Sequence, residues 1–370
     1  MGHVVLYRKY RPQTFEEVVG QGHVITTIGN AIRHGKVAHA YLFAGPRGTG
    51  KTTIARLLAK TLNCQNRKAN QAEPCGTCVH CKLTAEGRML DLIEIDAASN
   101  RGIDEIRALR EGVRVGASQG EYKIYLVDEV HMLTKEAFNA FLKTLEEPPP
   151  NVVFVLATTE VHKLPATIIS RTQRFDFHRI NLPDIEARLL RLASAEKISV
   201  DGAAVKLVAI HADGSLRDAE SLFGQVLTTG SKDVTLEDAE RVLGLFSHIR
   251  IKEFVEHLLS KDSAAALSWI QAAVDEGRDL RQFLKALQRY VRRMMLLSLD
   301  PEVAEHIKEE LNPEDLATLK QQTARTSEIE VRRWMETFAE AQQDLDSYPL
   351  QQMAIEIAIV ELLESKSTGT

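Results

Sequence analysis

Two short segments carry residue types that do phosphate chemistry. Gly45-Pro46-Arg47-Gly48-Thr49-Gly50-Lys51-Thr52 follows the apolar stretch Tyr41–Ala44 and precedes a helical pattern over Thr52–Leu62. Strand, loop and helix in that order are the context that a GxxxxGK[ST] run needs to cradle phosphates. The glycines let backbone N–H groups curl inward onto phosphate oxygens, and the helix N-terminus adds partial positive charge. Lys51 is expected to reach β- and γ-phosphates and Thr52 to ligate Mg²⁺, with the binding run extending to Thr53. The second segment, Lys123–Val127, ends in Asp128-Glu129. Asp128 is expected to hold Mg²⁺, usually through water, and Glu129 to orient and polarise an attacking water as general base. Lys51 together with Glu129 argues for hydrolysis rather than binding alone. A further apolar stretch, Val152–Ala157, ends in Thr158-Thr159. A threonine there either hydrogen-bonds the γ-phosphate or lytic water, or is an ordinary strand end.

The chain has four cysteines, Cys64, Cys75, Cys78 and Cys81, spaced C-x10-C-x2-C-x2-C. In a reducing compartment disulfides are disfavoured. Four thiolates at this spacing suit a closed, structural, tetrahedral Zn²⁺ site, with Pro74 and Gly76 allowing the turns. A redox C-x-x-C pair and unmetallated buried thiols are the alternatives. His80 lies inside the cluster, but four sulfurs already complete a zinc shell. The segment 64–81 interrupts the surrounding pattern and reads as an insertion.

The elements that must position these groups alternate. Candidate strands are Tyr41–Ala44, Asp91–Ile95, Lys123–Val127 and Val152–Ala157, with helical patterns such as Thr52–Leu62 and Ile103–Val113 between them. Short continuous apolar runs suit strands covered on both faces, as in a doubly wound parallel α/β sheet. Beyond about Ile180 strand signals fade. Asn181-Leu182-Pro183 reads as a helix start, with Asn181 as cap. Short helices then run to about Gly244. Two apolar stripes follow at helical spacing: Ile251, Phe254, Val255, Leu258 and Leu259, then Leu280, Phe283, Leu284, Leu287, Tyr290, Val291 and Met294. They read as the packed faces of a bundle. The end, Ser365–Thr370, reads as a polar tail.

The 370 residues suffice for two or three domains. With 44% hydrophobic and 26% charged residues, disordered, collagen-like and disulfide-scaffold classes are excluded. No apolar run approaches the ~18 residues of a bilayer span. No secretory pattern opens the chain, so the cytoplasm is the expected compartment. The net charge of −5 is unevenly spread: +7 over residues 1–60, −9 over residues 301–370. An anionic partner at the N-terminal end is therefore compatible with an acidic total.

Taken together these residues resemble a known family. Tyr7-Arg8-Lys9-Tyr10-Arg11-Pro12-Gln13-Thr14-Phe15, Val18-Val19-Gly20-Gln21, His39-Ala40-Tyr41-Leu42-Phe43, Asp91–Ser99, Asp128-Glu129-Val130-His131-Met132-Leu133 and Leu142–Pro149 are similar to segments of the bacterial DNA polymerase III gamma/tau subunits, AAA+ ATPases of the sliding-clamp loader. The cysteine cluster sits where that family inserts one. The resemblance runs from about Val5 to about Leu363. It implies an α/β P-loop AAA+ domain over 1–179 with the inserted zinc module at about 64–81. An all-α lid over 180–243 and an all-α collar for oligomerisation over 244–370 would follow.

The resemblance further implies that Tyr10, Arg11, Pro12, Val18 and Val19 lie on the adenine side. Thr158 becomes sensor 1. Arg217 in Gly214-Ser215-Leu216-Arg217-Asp218 becomes sensor 2, reaching the γ-phosphate of its own subunit. Arg171 in Ser170-Arg171-Thr172 becomes the finger inserted into a neighbour's site, although Thr172 stands where the family usually has Cys. A guanidinium at developing phosphoryl charge contributes roughly 10³–10⁵ in rate. The implied cofactors are ATP, Mg²⁺ and Zn²⁺. The implied partners are delta, delta prime and further gamma/tau copies in a hetero-pentamer, the sliding beta clamp, and primer–template DNA. The polymerase core would join through the C-terminal domains of the long form, before which this chain stops, as a short or shortened form would. No polymerase active site is recognisable in the chain, so that activity would belong to the holoenzyme. For DNA, which must be gripped by its phosphates rather than its sequence, the turn Ser99-Asn100-Arg101 is the nominee, and no aromatic stacking stripe is present. The rival expectation is another AAA+ DNA-remodelling ATPase, such as a branch-migration motor, which the zinc insertion disfavours.

Overall fold

The computed structural model describes residues 5–364, apart from 69, 101, 103–108, 110, 229–232, 245, 247, 300–310 and 312. Arg101, most of the expected helix Ile103–Val113, and the expected tail Ser365–Thr370 therefore lie outside the described residues. The chain divides into two compact units, Met1–Glu196 with Val208–Gly224, and Lys197–Leu207 with Gln225–Thr370.

The first unit is built on five parallel strands: β1 (Ala40–Ala44), β2 (Leu92–Asp96), β3 (Lys123–Asp128), β4 (Val152–Thr158) and β5 (Gln173–Asp176). Their order across the sheet is β2-β3-β4-β1-β5. β1 and β4 are buried along their whole length, as continuous apolar runs require when both sheet faces are covered. On one face Tyr41, Phe43, Ile124, Leu126, Val153 and Val155 meet the helices Gly22–Arg33 and Lys51–Leu62. On the other, Leu42, Tyr125, Val127, Phe154 and Leu156 meet Phe138, Phe141 and Leu145 of the helix Lys135–Glu146. Period-two alternation thus sorts neighbouring apolar residues between two cores.

Four strands agree with the apolar runs to within a residue. The edge strand β5 was not expected: its sequence Gln-Arg-Phe-Asp buries only Phe175 and offers no run to read. At the other edge, strand β2 starts after Asp91 rather than on it. Asp91 is fully buried, and its carboxylate accepts from the backbone amides of Ser118, Gln119 and Gly120 at 2.6–2.7 Å. Burial by itself would push the carboxyl up. The amides of Ser118, Gly120 and Gln119 outweigh it and hold the group below the usual carboxylate range. Asn181 Oδ1 accepts from the Asp184 amide at 2.9 Å, so the expected cap opens the helix Leu182–Glu196.

The second unit is helical, with helices His248–Leu259, Ser263–Asp275, Leu280–Leu299, Pro313–Thr323, Glu328–Asp344 and Gln351–Glu364. Both expected stripes face its core; Leu259 packs at the margin and the other eleven residues are buried. Asp262 caps the second of these helices, and a Ser327–Glu330 capping box opens the fifth. Tyr290 donates to Gln322 Oε1 at 2.6 Å inside the core, where burial pushes the phenol well above its ordinary value. A two-residue parallel pair, Ser199–Val200 with Asp233–Val234, adds a small strand element that the helical reading did not anticipate. No described helix is long and apolar enough to cross a membrane.

Candidate phosphate cavity and cysteine centre

Sheet order explains why distant segments meet. Strand β4 lies between β1 and β3, with Ala44 in register with Thr158 and Val127 with Leu156. The loop after β1, the acidic pair at the end of β3 and the two threonines at the end of β4 therefore emerge side by side at the carboxyl edge. That edge is where open α/β sheets take ligands. A cavity of about 790 Å³ opens there, lined by Arg47–Thr53, Asp128 and Glu129 together with Arg11, Pro12, Val18, Val19 and Arg217.

The loop has its shape because it lacks side chains. A Cβ on Gly45, at φ 147°, would overlap the carbonyl oxygen of Phe177. One on Gly48, at φ 74°, would overlap Ser215 Oγ. Lys51 is buried, and its ammonium donates to the carbonyls of Gly45 and Pro46, both at 2.7 Å. Burial lowers its pKa, against the opposing pull of Glu129 and Asp128. Thr52 Oγ1 donates to Asp128 Oδ2 at 3.1 Å, so the two expected Mg²⁺ ligands already adjoin. A hydroxyl next to a carboxylate at this position is a donor set that suits Mg²⁺, which takes few protein oxygens and keeps several waters.

Glu129 has a left-handed backbone, φ 47° and ψ 47°, an uncommon conformation for a residue with a side chain and one that clusters at functional sites. Its Oε2 accepts from both the amide and the hydroxyl of Thr159, at 3.1 and 2.9 Å. Thr158 is fully buried, and its hydroxyl adjoins His131 Nδ1 at 2.9 Å while accepting from the Glu160 amide at 3.0 Å. His131 Nδ1 in turn lies 3.4 Å from Glu129 Oε2. Of the two threonines, Thr159 is the one that touches the acidic residue; Thr158 reaches it through His131. Strand-end position alone did not separate them.

Other expected residues divide. Arg11, Pro12, Val18 and Val19 line the cavity, but Tyr10 does not; its carbonyl accepts from Arg188 at 2.5 Å. Arg171 is outside the cavity, donating to Glu146 Oε1 at 2.8 Å and to the Thr167 carbonyl. Both partners are partly exposed, a kind of pair that contributes little stability and is cheaply broken. At the nominated DNA turn, Ser99 donates to Asp96 Oδ2 and Asn100 to the Asp96 carbonyl, so both polar groups cap their own turn. Sequence reasoning missed Arg188 and Glu220, an ion pair at 2.8 Å that is nearly buried. It also missed Ser215 against Gly48, because lone polar residues on helices or just before them carry no signal of their own.

The four cysteine sulfurs lie within 4.8 Å of one another, with Cys75 and Cys81 Sγ 3.9 Å apart. Zn–S bonds of about 2.3 Å make a tetrahedron with edges of about 3.8 Å, so the cluster fits that ion. Amides of Cys75, Cys78 and Cys81 donate to Cys64, Cys75 and Cys78 Sγ at 3.2–3.4 Å, a set that favours thiolates. Burial pushes the Cys75 thiol up, but the amides of Cys78 and Thr77 and the Thr77 hydroxyl bring it down to about 5. His80 turns away from the sulfurs: its Nδ1 meets the Asn63 carbonyl at 2.8 Å.

Residues 20–181 match the family described as DNA polymerase III, delta subunit. Residues 184–232 match the clamp loader subunit ATPase lid domain, and 234–370 match domain III of DNA polymerase III subunits gamma and tau. DNA polymerase III subunit gamma of Buchnera aphidicola is 35% identical over 365 residues, covering 99% of this chain and 100% of that protein. The chain belongs to the DNA polymerase III gamma/tau family. The subunit tau of Bacillus subtilis is 44% identical over 301 residues, 81% of this chain and 53% of that protein. The chain thus spans about half the length of the tau subunits it matches. A Thermotoga maritima RuvB branch-migration motor overlays with a TM-score of 0.48 at 18% identity, over 67% of this chain and 79% of that one, too weakly to bear on the reading. As a gamma/tau family member the chain has the parallel α/β core followed by helical lid and collar segments.

Proposed function

We propose that this chain is an ATP-hydrolysing subunit of a bacterial replicative clamp loader, which uses ATP to open a sliding clamp and place it on primer–template DNA. The observation that carries the proposal is the convergence of Lys51, the Thr52–Asp128 pair and Glu129 at one sheet edge in a gamma/tau family chain. Backbone amides of Gly45 and of Arg47–Thr53, with the helix that starts at Lys51, would take the phosphates. Lys51 would exchange the carbonyls of Gly45 and Pro46 for β- and γ-phosphate oxygens. Thr52 and Asp128 would hold Mg²⁺, whose charge offsets that of the phosphates. Glu129, fixed by Thr159, would orient and accept a proton from water. Thr158 would act as sensor 1 through His131, and Arg217 would reach the γ-phosphate as sensor 2. Arg11, Pro12, Val18 and Val19 would face the nucleoside, with Tyr10 contributing to the shape of that wall through its backbone.

Arg171 lies outside its own cavity, as a finger serving a neighbouring subunit would. The assembly in view contains delta, delta prime and further gamma/tau copies, joined through the collar over 244–370, with the lid over 180–243 and the ATPase domain over 1–179. Four thiolates at 64–81 would hold a structural Zn²⁺. The setting is the bacterial cytoplasm. Steady-state phosphate release, measured with and without clamp, partner subunits and primed DNA, tests the proposal. Stimulation by all three is expected, and its loss in Lys51→Ala. ATP-driven translocation on branched DNA without clamp dependence would favour the branch-migration alternative instead.

A further inference from the structure

Arg217 has a partner that no motif announces. Its guanidinium carbon lies 4.9 Å from the centre of the Tyr7 ring, and Arg8 flanks the same ring at 5.8 Å. Both Tyr7 and Arg217 line the phosphate cavity. The Arg217 guanidinium is the largest influence on the Tyr7 phenol, holding it below its ordinary value.

The main chain around Arg217 is pinned. Just before it, the Leu216 amide donates to the Gly48 carbonyl at 3.2 Å. Three residues after it on the same helix face, Glu220 is buried and paired with Arg188 Nε at 2.8 Å, and Arg188 also donates to the Tyr10 carbonyl. With both flanks held, side-chain torsions are the cheap way for the guanidinium to move.

We propose that Tyr7 is a positioning residue that holds Arg217 at the cavity wall until a nucleoside triphosphate draws it off, and so sets the tri- to diphosphate affinity ratio. The inference rests on the nucleotide-site reading above. A γ-phosphate must compete with the ring and phenol for the guanidinium, whereas a diphosphate leaves Arg217 where it is. The cost of release therefore falls on the triphosphate alone, as a competent state that is only partly populated weakens apparent affinity. A cation over a partly exposed aromatic face corresponds to a population effect of about threefold to tenfold.

The test measures dissociation constants of ATPγS and ADP, each with Mg²⁺, on the full chain. Tyr7→Ala is expected to raise the ratio of ADP to ATPγS dissociation constants by about threefold to tenfold. Any contact between Tyr7 and the nucleoside cancels in that ratio, because both ligands share it. Tyr7→Phe keeps the ring and packing and is expected to move the ratio the same way by a smaller factor. In an Arg217→Ala background, Tyr7→Ala is expected to leave the ratio unchanged. An unchanged ratio in the single variants, or the same change with Arg217 absent, would overturn the proposal. If Tyr7→Ala does not fold, the Tyr7→Phe ratio decides. A wild-type chain that binds neither nucleotide would instead refute the nucleotide-site reading.

Discussion

The cysteine cluster and the phosphate cavity belong to the same compact unit but are assembled in opposite ways. All four sulfurs come from residues 64–81, and three amides of that same segment bond them. The cavity collects its groups from Tyr7 to Glu220, across three strand ends and a helix that follows the sheet. A cluster closed within one segment depends on its ion and its turns. A cavity gathered over that span depends on strand order, and every element that holds the sheet also holds the site.

The largest effect should come from breaking the local cluster. Cys81→Ser is expected to lose stoichiometric zinc, measured on the purified chain, and to lower the thermal midpoint sharply. Structural zinc binding is worth about 10–16 kcal/mol in small modules. Nucleotide binding at a temperature where the variant stays folded should survive, and its loss there would mean that the cluster is no local module. Next is Glu129→Gln, which removes the proton acceptor but keeps its shape. Turnover should fall by about 10²–10⁴-fold while ATP affinity and zinc content stay near wild type. Normal turnover would remove Glu129 from the chemistry.

Arg171→Ala probes a group that the chain's own cavity does not contain. ATP binding should be nearly intact, but ATPase stimulated by DNA and clamp should fall about tenfold or more. Normal stimulated turnover would sink the trans role. The smallest effect should come from Asp91→Asn, which touches neither site but loosens the loop before β3. It should cost about 1 kcal/mol in denaturant unfolding at neutral pH. Because the folded pKa of Asp91 is depressed, its carboxylate stabilises the fold above the unfolded value of about 3.9. That contribution is lost as pH falls through the lower folded value, so wild type and variant should converge in acid. A difference that stays constant into acid would contradict the three-amide account.

Much of both sites was legible because their signals are local. The glycine spacing around Lys51, the carboxylates after an apolar run and the C-x2-C-x2-C pattern each state their chemistry within a few residues. The four apolar strands and both collar stripes were legible for the same reason, since burial on a periodic element repeats in the sequence. Strand β5 was not, because an edge strand that buries only Phe175 has no period to show. Nor was the difference between Thr158 and Thr159, which depends on how a left-handed Glu129 turns its carboxylate.

By itself, then, the sequence named the candidate groups for phosphate and metal, and the faces that must be buried. Tertiary structure decided which of them meet. Placing β4 between β1 and β3 brings Thr52 to Asp128 across 76 residues, and the helix from Leu216 brings Arg217 to Tyr7 across 210. Such contacts follow from strand order and helix docking, which the packing of two cores on one sheet selects and no local run of residues encodes.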